Sequence, residues 1–576
     1  MRYLPRPRGV ALALSAPVIA AIVATWWWLG APVPLPASPL GKGEKLYCMS
    51  YSPFRGSQTP FDRALRVDAR QIDDDLARLA PLTECVRTYS TELGLDQVAG
   101  IAGRHGLKVI QGVWLGRERT RNRTEIETAV ALAARYPGTV QALVAGNEVL
   151  LRGELSPGDL AGLIREIKAR VAVPVTYADV WEFWLRNRAV ADAVDFVTVH
   201  ILPYWEDIPI PAEAAAAHVA DIRRMVAAAF PGKEILLGEV GWPSAGRMRE
   251  GALPSPTNQA RVIEEVLAAA KRDGFRANLI EAFDQPWKRQ LEGTVGGHWG
   301  LLDGASRAPK FAWGMPLSNH PQWPWQAAIG VLLAAAAFSA AAAAGHSGAI
   351  PRARGHWFGV AAIALVAGVL IGWAAANVPL ESLGVGGWIH SLAMLAVALV
   401  APVLGAAALG GGIPIPAFSQ VLEHDLQKWI PVFGKRSCSK RKLERDDDSK
   451  KSHHALRDAK DRTPSRLGFA LGAVWIVLCA IATEVALGLA FDPRYRDFPF
   501  APLGAAVTPF VVLTMLGVRC PRRDLAEIVM AAVLATSTLY VAWNEGPANW
   551  QALCLCGVFA GLVFTLLRPW AVPSSK

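Results

Sequence analysis

Two hydrophobic textures divide the chain. Between about residues 46 and 313, short apolar runs alternate with longer stretches in which apolar positions recur every three or four residues. The runs at 46–51, 84–89, 107–114, 140–146, 173–178, 194–200, 234–239 and 278–284 have the length and β-branched content of buried strands. The stretches at 71–80, 94–104, 124–135, 157–171, 213–228 and 257–272 have the helical period. Strands alternating with helices at this spacing predict a parallel (β/α)8 TIM barrel. Elsewhere the alternation gives way to continuous apolar runs at 9–30, 326–345, 357–378, 388–410, 467–491, 503–518, 525–543 and 550–567. A bilayer-crossing helix needs about 20 such residues, and 503–518 is the short one. The expected fold class is α/β, a TIM barrel followed by an all-α polytopic membrane domain.

Composition sharpens this division. The 576 residues are 52% hydrophobic and only 19% charged, which is too apolar for a wholly soluble enzyme. The net charge of +10 does not call for nucleic acid, because the basic residues cluster beside the apolar runs. Arg2, Arg6 and Arg8 precede the first run, which ends in Trp26-Trp27-Trp28 and reads as an uncleaved signal anchor. Basic segments at 346–356, 411–466 and 519–524 assign those loops to the cytoplasm. That places 379–387, 492–502 and 544–549 outside together with the barrel, and both termini inside. Pro- and Gly-rich linkers are expected at 31–42 and 316–324, with Trp323 and Trp325 as interfacial anchors. The domain boundaries expected are therefore 1–43, 44–315, 316–325 and 326–576, with a charged cytoplasmic loop at 411–466. The seven cysteines show no metal-ligand spacing, and whether Cys48 pairs with Cys85 is left open. No phosphate-binding loop is present, and neither a cofactor nor a metal is expected.

The chemistry gathers where strands end. Ile235-Leu236-Leu237 runs into Gly238-Glu239, then Gly241-Trp242-Pro243-Ser244; Val140 to Ala145 runs into Gly146-Asn147-Glu148. A carboxylate at the end of a buried strand is costly unless it is used or paired. On a TIM barrel, the C-terminal strand ends form the active-site face. Glu148 and Glu239 would meet there, ending the fourth and seventh strands. Two carboxylates flanked by aromatic residues suit glycosidic-bond chemistry. The same ends carry Tyr51, Arg87, Tyr89, Trp114, His200, Tyr204, Trp205, Trp242 and Asp284, all candidate sugar contacts. Glu484 stands well inside an apolar helix, as a polar contact on a path through the membrane or as an interhelical hydrogen bond.

Gly146-Asn147-Glu148, Gly238 to Ser244, and Ala282-Phe283-Asp284 with Lys288 occur in this order at matching strands. Together they resemble glycoside hydrolase family 17, retaining β-1,3-glucanases built on a (β/α)8 barrel. The resemblance covers roughly residues 46–313 and implies Glu148 as acid/base and Glu239 as nucleophile. It further implies Asn147, Lys288 and Glu292 in the substrate site. Gln285 stands where the family commonly has Glu, and Glu292 lies farther from Gly300-Leu301 than the family spacing. The whole arrangement looks like bacterial family members fused to membrane helices and associated with envelope glucans.

The mechanism this implies is double displacement. Glu239 attacks the anomeric carbon while Glu148 protonates the leaving oxygen, and Glu148 then activates water or an acceptor sugar. Asn147 would hold the 2-hydroxyl, and Tyr204 would orient Glu239. The expected partners are a β-glucan, the lipid bilayer and other glucan-synthesis proteins of the envelope, with no nucleic acid. The expected location is the inner membrane, with the barrel on its periplasmic or extracellular side. A hydrolase without transfer activity, a glycosyltransferase using activated sugars and a silent glycan receptor are the rivals.

Overall fold

A computed structural model describes residues 7–345, 355–422, 465–516 and 524–567. These fall into two compact units, Pro32–Asn319 and Met1–Ala31 with His320–Lys576.

The first unit is a closed barrel of eight parallel strands in sequential order. They are β1 Leu46–Ser50, β2 Thr83–Arg87, β3 Lys108–Val113, β4 Val140–Asn147, β5 Val175–Val180, β6 Val197–His200, β7 Ile235–Val240 and β8 Ala277–Leu279. Each falls on one of the eight apolar runs. Helices Ala69–Leu79, Pro157–Lys168 and Pro256–Asp273 begin at Asp68, Ser156 and Ser255, whose side chains accept N–H bonds from the first turn. Pro157 and Pro256 open their helices, where the missing N–H costs nothing.

Side-chain alternation along the strands divides two cores. Cys48, Cys85, Ile110, Ala142, Val144, Ala178, Phe196 and Leu236 fill the barrel interior. Met49, Tyr51, Val86, Val109, Leu143, Tyr177 and Val199 face the helix layer. Cys48 and Cys85 are register partners on β1 and β2 and form a disulfide. That resolves the pairing the spacing leaves open.

The main departure from expectation is at the eighth strand. Its ladder stops at Leu279 rather than 284. The chain from Glu281 to Asp284 pairs instead with Trp299–Leu302: Leu301 N–H donates to the Glu281 carbonyl at 2.8 Å and Leu302 N–H to that of Ala282 at 2.9 Å. Register shifts interrupt the ladders between Val144 and Asn147, between Val199 and His200, and between Leu237 and Val240. Such irregularities re-aim side chains at a barrel rim. The stretch expected as a free linker at 31–42 is partly tied down, because Val33 bridges Leu317 within the barrel unit.

The second unit is helical. Among the described residues, seven of its helices are long and apolar enough to cross a membrane: Val10–Leu29, Trp323–Ala344, Gly355–Glu381, Gly384–Gly411, Arg466–Phe491, Leu525–Glu545 and Trp550–Leu567. They fit a multi-pass membrane protein. Phe500–Met515 is apolar but shorter. The loop expected at 379–387 shrinks to a turn, since one helix runs to Glu381 and the next starts at Gly384. Most of the basic segments at 346–356, 411–466 and 519–524 lies outside the described residues.

Candidate active site

Glu239 lies on β7 and is almost fully buried; Glu148 directly follows β4 and its side chain keeps 23% of its exposure. The chain turns sharply to present Glu148. Gly146 has φ 92°, and Glu148 itself has φ 53°, a left-handed conformation that a side chain rarely adopts. A carboxylate oxygen of Glu148, a ring nitrogen of His200 and a carboxylate oxygen of Glu239 all lie within 4.8 Å of one another. His200 Nδ1 is 2.8 Å from Glu148 Oε1, and its Nε2 is 3.7 Å from Glu239 Oε1.

The two carboxylates have different settings. Glu239 Oε1 accepts Arg87 Nη1 and the Tyr89 hydroxyl, both at 2.8 Å. Burial pushes the Glu239 carboxyl up, but the pull of His200, Arg87 and Lys288 and the Tyr89 hydrogen bond outweigh it. The net direction is down, toward the ionised form. Arg87 also donates to the Gly238 carbonyl at 3.0 Å and to Asn147 Oδ1 at 2.5 Å. One buried guanidinium therefore ties the β7 carboxylate to the β4 asparagine.

Of the residues singled out from sequence, Arg87, Tyr89, Asn147, His200, Glu148 and Glu239 are brought together in this way. Lys288 and Glu292 join them electrostatically. Burial raises Glu292; Lys288 opposes this, and the charges of Glu148 and Glu239 add to it. The other candidates make different contacts. Tyr51 follows Ser50 on the helix-facing side, where its hydroxyl donates to Asp75 at 3.0 Å. Trp242 is fully buried and donates to the Leu253 carbonyl. Tyr204 is buried and donates to the Arg247 carbonyl, so the tyrosine hydroxyl on Glu239 is that of Tyr89. Asp284 is a buried strut, receiving Lys310 Nζ at 2.6 Å and Gly300 N–H at 2.9 Å. Trp114 is half-buried with the Arg152 guanidinium 4.3 Å over its ring, and half-buried Trp205 stacks on Trp299 at 6.4 Å.

Sequence reasoning missed Ser50, Asn278 and Glu281. Ser50 Oγ accepts from Asn278 Nδ2 at 2.8 Å and lies 3.0 Å from the Tyr89 hydroxyl oxygen, to which it donates because the Tyr89 proton goes to Glu239, bracing Tyr89 from behind. Glu281 is fully buried and receives Lys288 Nζ at 2.7 Å. Burial raises its carboxyl to about 7 against the opposing pull of Lys288. The signal that could have found Ser50 is the two-residue alternation from Cys48. Glu281 sits beyond the last ladder pair and carried no such signal.

Residues 48–300 match the BtgE/BtgC glycoside hydrolase domain. The barrel is a glycoside hydrolase domain. It is 28% identical over 275 residues to the probable beta-glucosidase btgE of Aspergillus clavatus, covering 46% of this chain and 47% of that one. It is 25% identical over 257 residues to a glucan 1,3-beta-glucosidase of Candida albicans, covering 41% of this chain and 83% of the relative. The chain spans about half the length of the btgE relatives it matches. Among solved structures, it is similar to the glycoside hydrolase family 17 beta-1,3-glucanosyltransferase of Rhizomucor miehei. That match has 26% identity, 46% of this chain, 96% of the other and a TM-score of 0.41.

Proposed function

We propose that the glycoside hydrolase domain is a retaining enzyme acting on β-1,3-glucans, with Glu239 as nucleophile and Glu148 as acid/base. The observation that carries this is the short reach between the two carboxylates, within 4.8 Å at their nearest grouped oxygens. Retaining enzymes hold the pair about 5–5.5 Å apart, whereas inverting ones leave room for a water at roughly 6.5–9.5 Å. The settings favour this division of roles. Glu239 is held ionised, with its donors on Oε1, which assigns the attack on the anomeric carbon to Oε2. Glu148 is the more exposed of the two and has His200 on Oε1, which leaves Oε2 for the transferable proton. Asn147 Oδ1 is occupied by Arg87, so its Nδ2 is the atom to donate to the sugar 2-hydroxyl.

The β-1,3 linkage is supported by the Candida relative, named a glucan 1,3-beta-glucosidase. Release of the glycosyl-enzyme to a sugar hydroxyl rather than water would make the protein a transglycosylase. The Cys48–Cys85 disulfide suits an oxidising compartment, in accord with a barrel outside the cytoplasm on a membrane-anchored chain. The domain division proposed remains a membrane anchor before residue 44, a catalytic part over 44–315 and membrane helices after 325.

Activated aryl β-glucosides of suitable length test the roles on the full-length protein. Glu148→Ala should show a burst of aryl alcohol and azide rescue giving a β-azide, because glycosylation with a good leaving group needs little acid help. Glu239→Ala should show neither. The reverse pattern would exchange the two roles. Mass analysis of laminari-oligosaccharide products then separates hydrolysis, which gives only shorter chains, from transfer, which gives longer ones.

A further inference from the structure

The helical unit carries a charged cluster that the glycosidase reading does not use. Glu484 lies on helix Arg466–Phe491 about two turns before its end, and its side chain is 53% exposed. His390 Nδ1 lies 3.6 Å from one carboxylate oxygen and Arg496 Nη1 lies 3.7 Å from the other. Arg496 Nε also lies 3.8 Å from Asp492, which caps the helix. The arginine can fold back onto the helix because residue 488 is glycine. A Cβ there would come within 3.2 Å of Arg496 Nη1 and 3.3 Å of its Cζ.

Glu484, Asp492 and Arg496 line one end of an open groove of about 590 Å³, whose apolar wall is formed by Ala480, Leu487, Phe491 and Met530. That volume is in the range of small-ligand sites. Glu484, Leu487, Gly488 and Phe491 fall on one face of the helix, and Leu487 and Phe491 are exposed. Counted from Phe491, Glu484 sits about 10 Å inside the helix end, at the depth where headgroup meets acyl chain. An ionisable group facing the lipid at that depth needs a polar partner.

We propose that this groove binds a glycerophospholipid with a primary-amine headgroup, of the phosphatidylethanolamine type. The argument is charge complementarity within a few ångströms. The ammonium donates to Glu484 and Asp492, the phosphodiester accepts from Arg496, and an acyl chain lies along Ala480, Leu487 and Met530. A trimethylated ammonium cannot donate these hydrogen bonds, and a glycerol headgroup supplies no cation, so the site selects against both.

Native mass spectrometry of the full-length protein, titrated with dioleoyl phosphatidylethanolamine, phosphatidylcholine or phosphatidylglycerol, tests this. Phosphatidylethanolamine adducts should form at concentrations at least tenfold lower than the other two. Glu484→Gln and Arg496→Gln should each weaken them at least tenfold. Leu487→Trp fills the apolar wall without altering charge and should do the same, which keeps the test valid if a charge variant fails to fold. Equal retention of the three lipids, equal retention by wild type and all variants, or a second copy of the chain occupying the groove would overturn the proposal. None of these readouts depends on glycosidase activity.

Discussion

Tyr177 donates its hydroxyl hydrogen to Asp179 at the end of β5 and accepts the Leu150 N–H at 3.0 Å. Asp179 in turn accepts the N–H of Leu151 at 3.4 Å and of Val180 at 2.8 Å. The pair thereby anchors the turn that follows Glu148 and helps hold that residue at positive φ. Tyr177→Phe should relax the turn and lower kcat about 10- to 100-fold with KM little changed, as expected when a reacting group is misplaced while substrate binding is kept. Stopped-flow and steady-state kinetics on an aryl glycoside would check this. A purely structural role would lower the folded fraction and leave kcat per folded molecule intact.

Asp179 also has a pH signature. Burial raises its carboxyl to about 6, with the Tyr177 hydrogen bond opposing and the charge of Glu148 reinforcing the rise. A folded pKa above the unfolded value means a stabilising contribution that is complete below about pH 4 and lost as pH rises through 6. Asp179→Asn should therefore unfold at the same temperature as wild type near pH 4 and at a higher one near pH 7. Thermal melts of the barrel at the two pH values read this directly. A variant less stable than wild type at pH 7 would show that the ionised carboxylate is worth more than its burial costs.

Arg87 is the residue whose loss should harm the site most without touching a reacting atom. It is fully buried against Glu239 and Asn147. Arg87→Met leaves a buried carboxylate without its partner, at a cost of about 3–5 kcal/mol near pH 7. The sign follows from Glu239, whose carboxyl is held below its ordinary value. Its contribution to stability is present above pH 4.5 and fades as pH falls. The variant's deficit should accordingly be largest at neutral pH and shrink in acid, and the acid limb of kcat/KM should move upward.

The barrel was legible in the sequence because buried strands leave continuous apolar runs, and all eight lie where those runs are. The proximity of Glu148 and Glu239, the proposed catalytic pair, was legible because both glutamates stand at strand ends in specific motifs. The surrounding contacts were less so, for a reason visible in β1. Ser50 and Tyr51 are adjacent, and alternation sends one into the barrel mouth and the other toward Asp75. Reading strand ends as a set, without parity, admitted Tyr51 and omitted Ser50. Trp242 and Asp284 have motif positions that suggest substrate contact, yet their polar atoms are taken by Leu253 and by Lys310 with Gly300. Glu281 was invisible because its pairing with residues near 301 replaces the expected end of β8.

Topology turns on one helix. Phe500–Met515 has 16 residues, about 24 Å of helix against roughly 30 Å of hydrocarbon. The expectation from charge is that it crosses, giving eight spans and both termini on one side. Single cysteines placed at 383 and 547, in a background that keeps the Cys48–Cys85 disulfide but lacks Cys438, Cys479, Cys520, Cys554 and Cys556, should then label from outside with a membrane-impermeant maleimide, and one placed at 450 should not. Labelling at 383 without labelling at 547 would mean that the short helix does not cross.

Glu281 and Lys288 give the last prediction, because burial and pairing oppose each other there. Glu281 is fully buried, and its carboxyl is raised to about 7 by that burial, with Lys288 opposing and Glu292 and Glu239 adding to the rise. Its contribution to stability is complete below about pH 4.5 and lost as pH passes 7, a swing on the order of 3 kcal/mol. Glu281→Gln should match wild type in thermal melts at pH 5, where the native residue is already protonated, and exceed it at pH 8. Activity should respond differently. The acid limb of kcat/KM, which follows Glu239, should stay where it is, because Glu281 is already neutral at that pH; above pH 7 the Lys288 charge acts on Glu239 without an opposing Glu281 charge. Any inflection near pH 7 that wild type shows should disappear. If wild type is instead the more stable protein at pH 8, the Glu281–Lys288 pair stabilises the barrel in net terms, and Glu281 is a structural anchor for Lys288 rather than a control on the charge of Glu239.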